Sequence, residues 1–100
     1  MRYTDSQLEA IRLVEMEVCD YMGVNKRVIY ERSLKEIVCN TRYMIWYILH
    51  YDYGFTVGLL SKTYYMTKRN IQIGISKVKN GIKYQPYYRN IYDTLKERIK

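Results

Sequence analysis

Proline occurs once in this chain of 100 residues, glycine five times and cysteine twice. That scarcity of proline and glycine excludes long linkers and a succession of hairpins. Cys19 and Cys39 fall on separate helical patterns and His50 is the only histidine. These are too few ligands for a disulfide framework or a zinc site, so two free, buried thiols are expected. No stretch approaches about 18 uncharged apolar residues, so no helix is expected to span a bilayer. The opening run MRYTDSQLEAIRLVEMEV carries acidic residues where a signal peptide needs an apolar segment. A cytoplasmic protein without a membrane partner is the expectation. Repeats and low-complexity segments are absent too. With 48% hydrophobic and 15% aromatic residues, the chain fits a single globular domain over 1–100.

Acidic residues run short in one part only. Residues 1–60 hold seven Lys plus Arg and eight Asp plus Glu, a net of −1. Residues 61–100 hold ten basic side chains against Asp93 and Glu97, a net of +8, and the two parts sum to +7. Charge segregated in this way builds a positive field on one side that attracts polyanions. Charge alone does not choose among DNA, RNA and an acidic membrane.

The hydrophobic period is helical nearly throughout, and six helices with no strand make the expected fold all-α. Leu8, Ile11, Val14, Val18 and Met22 trace a first stripe over about 5–22, stopped by Gly23. On that helix Asp5, Glu9, Glu15 and Glu17 are expected to solvate the outer face or to dock a partner. Asn25 is placed to cap a short helix over 26–31, and Ser33 a long one with Ile37, Val38, Thr41, Ile45, Ile48 and Leu49 inward, ending near Tyr51. Trp46, Tyr47 and Tyr92 read as core, and His50 as a cap-like residue. Thr56 begins a helix over about 57–64, and Thr67 one over about 68–82 with Ile71, Ile75, Val78 and Ile82 on one stripe. Gly81 and the Tyr-Gln-Pro at 84–86 punctuate before a last helix over about 86–98.

The helices at 57–64 and 68–82 are separated by so few residues that together, over about 56–82, they form a candidate helix-turn-helix. At about 100° per residue, Arg69, Gln72, Ile73, Ser76, Asn80 and Lys83 lie opposite the apolar stripe. This arc has no acidic member and offers a guanidinium, amides and a hydroxyl, the set that reads base edges in a major groove. Thr67, Lys68, Arg69 and Asn70 form a first turn whose free N–H groups also suit phosphate. Ile73 can touch a thymine methyl or pack on a neighbour. Lys62, Lys68, Lys77 and Lys79 flank the arc where phosphates would pass. Tyr43, Tyr64 and Tyr65 lie near the same face and could hydrogen-bond phosphates.

From Gly23 to Leu49 the chain resembles the C-terminal DNA-binding domain of the bacterial replication initiator DnaA. Tyr21-Met22-Gly23-Val24 is similar to that family's aromatic-aromatic-Gly-Ile turn. Ser33-x-Lys35-x-x-Val38-Cys39-x-Thr41-Arg42-x-x-x-Trp46-Tyr47-Ile48-Leu49 aligns without gaps with its Ser-x-Lys-x-x-Ile-Val-x-Ala-Arg-x-x-x-Met-Tyr-Leu-Leu stretch. Phe55-Thr56-Val57-x-x-Leu60-Ser61-Lys62-x-Tyr64 resembles Leu-Ser-Leu-x-x-Ile-Gly-Arg-x-Phe. The resemblance covers about residues 11–98 and implies a Trp-repressor-like helix-turn-helix fold. It also implies phosphate contacts from Arg42 and Lys35. After a one-residue deletion, Thr67-Lys68-Arg69-Asn70-Ile71 stands where the family has Asp-His-Thr-Thr-Val, so its base-reading side chains are replaced. Its minor-groove arginine is Leu34 here, with Glu36 two residues on. The family's usual binding box is therefore not the expected target.

No nucleotide-hydrolysing domain fits into the length, and no Gly-x-x-x-x-Gly-Lys-Ser/Thr loop is present. The resemblance implies a stand-alone DNA-binding module, a regulator or a mobile-element protein. The expected function is sequence-preferring binding of double-stranded DNA, with no enzyme activity, cofactor or metal. Arg69, Asn70, Gln72 and Ser76 would face bases, while Lys35, Arg42, Lys62, Lys68 and Lys77 would hold phosphates. The alternative is a protein-interaction or dimerisation module on a former DNA-binding fold, motivated by the outward Ile73. Its partner would be a second copy or another protein.

Overall fold

A computed structural model describes residues 2–99, all-helical, with no strand among them. The elements in order are α1 (Asp5–Met22), a 3₁₀ turn (Lys26–Tyr30), α2 (Glu36–Tyr53), α3 (Val57–Tyr64), α4 (Lys68–Tyr84) and α5 (Pro86–Ile99). Five α-helices thus stand where six helices were expected, because 26–30 closes as a 3₁₀ turn. Helix α2 lies at the centre, packed on α1 and the turn on one hand and on α4 on the other. Helix α5 also packs on both α1 and α4, and α3 packs on α4.

Local chemistry accounts for most boundaries. Thr4 and Gln7 form a reciprocal capping box at the start of α1. Gly23 and Gly54 end α1 and α2 in the left-handed conformation, with φ of 69° and 74°. Asn25 caps the 3₁₀ turn, and Thr56 and Thr67 cap α3 and α4. Ser33 does not cap α2. The helix starts at Glu36 with Lys35 in the cap position and no side-chain cap, and the Ser33 hydroxyl accepts only from the Lys35 N–H.

Gly81 does not punctuate. It lies buried inside α4, which runs on to Tyr84, and the Tyr88 ring of α5 occupies the space a Cβ would need.

Helix α1 is rotated relative to its apolar stripe. Ala10, Val14, Val18 and Cys19 are buried while Leu8 is exposed. Glu15, expected on the solvent side, is 2% exposed. Its carboxylate accepts hydrogen bonds from the Tyr30 hydroxyl and, at 2.7 Å, from the Tyr64 hydroxyl, and Lys26 Nζ lies 3.8 Å away. A buried carboxylate needs such partners, and meeting both tyrosines sets the face that α1 turns inward.

The core proper is formed by Met44, Ile45, Trp46, Ile48 and Leu49 of α2 with Phe55, Leu60, Ile71, Val78, Ile91 and Leu95. Ile37, expected in the α2 stripe, is exposed, and Tyr47 and Tyr92 are half-buried against the core rather than inside it.

Candidate nucleic-acid interface

The three residues between α3 and α4 hold the two helices in a fixed relation. Tyr65 takes the left-handed conformation, φ 57°, and donates its N–H to the Ser61 carbonyl. Met66 N–H reaches the same carbonyl at 3.2 Å, and the Ser61 hydroxyl donates to Met66 O. Thr67 Oγ1 then accepts from Asn70 N–H at 3.1 Å, starting α4 at once. Glycine is the usual residue for a left-handed position. Tyrosine occupies it here with its side chain 87% exposed.

Helix α4 sorts its residues by face. Ile71, Gly74, Ile75, Val78 and Gly81 are buried. Gly74 permits the approach to α2, since a Cβ there would lie 2.5 Å from Tyr43 Cδ1 and 2.9 Å from Trp46 Cε3. The opposite side carries Arg69, Gln72, Ile73, Ser76, Asn80 and Lys83, every one exposed. Asn70 is exposed as well, but the helical period sets it beside Lys77 on one flank, about 100° from the centre of the arc.

Cations surround this arc. From Tyr53 to Tyr92 the chain has 40 residues with seven Lys plus Arg and no Asp or Glu. Lys62 is exposed on α3. The Lys68 side chain runs back to the first turn of α3, its Nζ 4.0 Å from where a Gly58 Cβ would be, which sets it between the N-termini of α3 and α4. Lys77 Nζ rests 5.8 Å from the centre of the Tyr43 ring and Lys79 Nζ 5.8 Å from that of Tyr51, orienting both ammonium groups along the flanks. Burial raises the Tyr43 pKa, so the ring under Lys77 is a neutral phenol. Two carboxylates of α1 are engaged elsewhere: Glu9 with Arg12 at 2.6 Å and Asp20 with Arg98 at 3.2 Å.

Across a groove of about 630 Å³, Leu34 in the loop before α2 and Glu36, its first residue, face Lys77, Asn80 and Tyr84 of α4. Lys35, between them in sequence, is exposed.

Two expected phosphate contacts lie elsewhere. Arg42 is 4% exposed and points into the 3₁₀ turn, where it donates to the carbonyls of Ile29 (2.8 Å), Ser33 (2.8 Å) and Glu31. Its guanidinium is consumed in holding the 29–33 backbone and is not available to a phosphate. Tyr64 is buried with its hydroxyl on Glu15. A sequence signal for Arg42 existed: it sits one turn from Val38 and next to Thr41, on the inner side of α2. For Glu15 the signal was its place between Val14 and Val18.

Outside this face little chemistry is assembled. Among the described residues no three His, Cys, Asp or Glu side chains are grouped to hold a metal. Both thiols are free, Cys19 buried and Cys39 half-buried. Burial, with the Glu15 charge beside it, pushes the Cys19 thiol up to about 11, which keeps it protonated and unreactive. His50 Nδ1 lies 2.6 Å from the Phe55 carbonyl, bracing the turn after α2. No helix of the described residues is long and apolar enough to cross a membrane. No protein-family model, curated protein sequence or solved structure matches the chain.

Proposed function

We propose that this protein binds double-stranded DNA with sequence preference, laying α4 in the major groove as the second helix of a helix-turn-helix. The observation that carries the reading is the exposed arc of α4, a row of donors and acceptors inside a 40-residue stretch that has seven cations and no carboxylate. Arg69, Gln72 and Ser76 face base edges, with Asn70 at the margin near the first turn. Lys35, Lys62, Lys68 and Lys77 meet phosphates, which set register without reading sequence. The free N–H groups of α3 and α4 next to Lys68 add to the attraction for phosphate. The Trp-repressor-like architecture and a role as a stand-alone module similar to the initiator's DNA-binding domain belong to this proposal.

Binding of a labelled random-sequence duplex across a salt series tests it. Four phosphate contacts give a slope of roughly −3.6 in log K against log salt, or about a hundredfold weakening from 50 to 200 mM. Arg69→Ala is expected to lower the preference for a selected site over random DNA, while Lys77→Ala weakens both alike. Absence of binding at low salt, or equal losses on both DNAs for both variants, would overturn the reading.

A further inference from the structure

Every aliphatic side chain of α4 is turned inward except one. Ile71, Ile75 and Val78 are at most 5% exposed and Ile82 packs against the core, whereas Ile73 is 50% exposed. It belongs neither to the core cluster nor to the half-buried residues packed on it. Arg69 lies one turn before it, and Ser76 and Lys77 one turn after. The helix therefore presents a single exposed aliphatic side chain, about the size of a butyl group, within a field of hydrogen-bonding groups.

Base-pair edges in the major groove carry one apolar group of their own, the methyl at C5 of thymine. It stands beside the O4 acceptor, and 5-methylcytosine sets the same methyl beside the N4 donor. On the DNA-binding reading above, which this inference presupposes, we infer that Ile73 is the contact for a pyrimidine C5-methyl group. Arg69, Gln72 and Ser76, within one turn, are placed for the polar atoms of that base pair and its neighbour. The binding site then contains one position read by its methyl rather than by a hydrogen bond. Where that position is a C·G pair, binding responds to cytosine methylation.

The test uses the full chain and a duplex selected from a random pool. Each thymine is replaced singly by uracil, which deletes only the methyl, and affinities are read by fluorescence anisotropy. At the Ile73 position the wild-type protein is expected to lose about fourfold, the worth of one buried methyl-sized group. At that same position 5-methylcytosine is expected to bind about fourfold tighter than cytosine. Ile73→Ala is expected to erase both differences while keeping its circular dichroism and Tm. Wild-type affinity indifferent to the methyl at every position, or an Ile73→Ala variant that keeps the fourfold difference, overturns the inference and leaves DNA binding standing. So does loss of all binding in Ile73→Ala, since one methyl contact cannot carry more than about tenfold. A wild-type dimer that Ile73→Ala dissociates makes Ile73 a protein contact instead. No binding, or binding without any preference, overturns the DNA-reading helix itself and this contact with it.

Discussion

Replacing Gly74 by alanine sets two opposed terms against each other in the helix proposed to read DNA. Glycine inside a helix costs about 1 kcal/mol relative to alanine, so propensity alone favours the change. The new Cβ, however, would lie 2.5 Å from Tyr43 Cδ1 and 2.9 Å from Trp46 Cε3, where ordinary contact begins near 3.4 Å. Trp46 is 2% exposed and fenced by the rings of Tyr43 and Tyr64, with centres 5.8 and 6.1 Å away. Tyr43 alone cannot swing aside to solve the clash. Overpacking of this kind costs about 1–3 kcal/mol, and two displaced rings argue for the upper half. The net expectation is a loss of about 1–2 kcal/mol, or roughly 4–16 °C in Tm for a domain of this size. Gly58→Ala in α3 is the matched control. Its Cβ meets the Lys68 side chain at 3.7 Å and Thr56 Oγ1 at 3.9 Å, both ordinary contacts, so it is expected to gain about 0.5–1 kcal/mol. Differential scanning calorimetry reads both, and near-ultraviolet circular dichroism of Trp46 should change in the first variant only. A Gly74→Ala protein as stable as wild type would refute the close approach of α4 to α2.

Further perturbations separate residues that hold the fold from those proposed to meet DNA, and test the buried tyrosines. Arg42→Met strips three backbone carbonyls of their donor and is expected to cost about 3 kcal/mol in urea unfolding. The salt slope of DNA binding should stay unchanged, whereas Lys68→Ala reduces it by about 0.9 with little effect on stability. Glu15→Ala leaves the buried Tyr64 hydroxyl without its acceptor and is expected to cost about 2–3 kcal/mol. Combined with Tyr64→Phe, it should fall short of additivity by more than about 1 kcal/mol, and strict additivity would break the link. Alkali should unfold the protein: burial and Glu15 raise the Tyr30 and Tyr64 pKa values, and burial and Asp52 push Tyr92 up to about 12. The unfolded chain releases these protons near pH 10 and the folded one holds them. Their stabilisation is therefore whole below pH 10 and lost above it, by more than about 1 kcal/mol per pH unit. A flat urea midpoint from pH 9.5 to 11.5 would contradict the burial.

Periodicity made the helices legible because caps and apolar spacing are local properties. Thr56, Thr67, Asn25 and Gly23 act where their chemistry predicts, and the exposed arc of α4 follows from Ile71, Ile75 and Val78 alone. Residues whose role depends on a distant partner are not legible from local pattern. Glu15 reads as a solvated acid until Tyr64, 49 residues on, supplies a buried donor. Arg42 reads as a surface cation until the 29–33 carbonyls, 9 to 13 residues back, converge on it. Gly81 reads as a helix stop because nothing local announces the Tyr88 ring that needs its missing side chain. Charged groups are the hardest case, since burial reverses their meaning and burial is not a local quantity.

The exposed face of α4 has two candidate partners, a second copy of the chain and DNA. Self-association through α4 would set Arg69, Lys77, Lys79 and Lys83 against their copies, with no carboxylate between Tyr53 and Tyr92 to separate them. Like charges at about 4 Å cost about 1 kcal/mol each even in bulk water, and more where water is displaced. An acidic surface could relieve this, and α1 of a second copy offers Glu9 and Asp20. Those two already pair with Arg12 and Arg98 of their own chain, so a contact through them exchanges ion pairs, and only Asp5 and Glu17 of α1 would add new ones. DNA brings a charge about every 1.7 Å along its axis and releases counterions as it is neutralised. Of the two partners, the polyanion is the one for which every exposed cation of α3 and α4 is an asset. The protein alone is accordingly expected to sediment as a monomer at low salt, and a dimer there that high salt does not weaken would reverse the order.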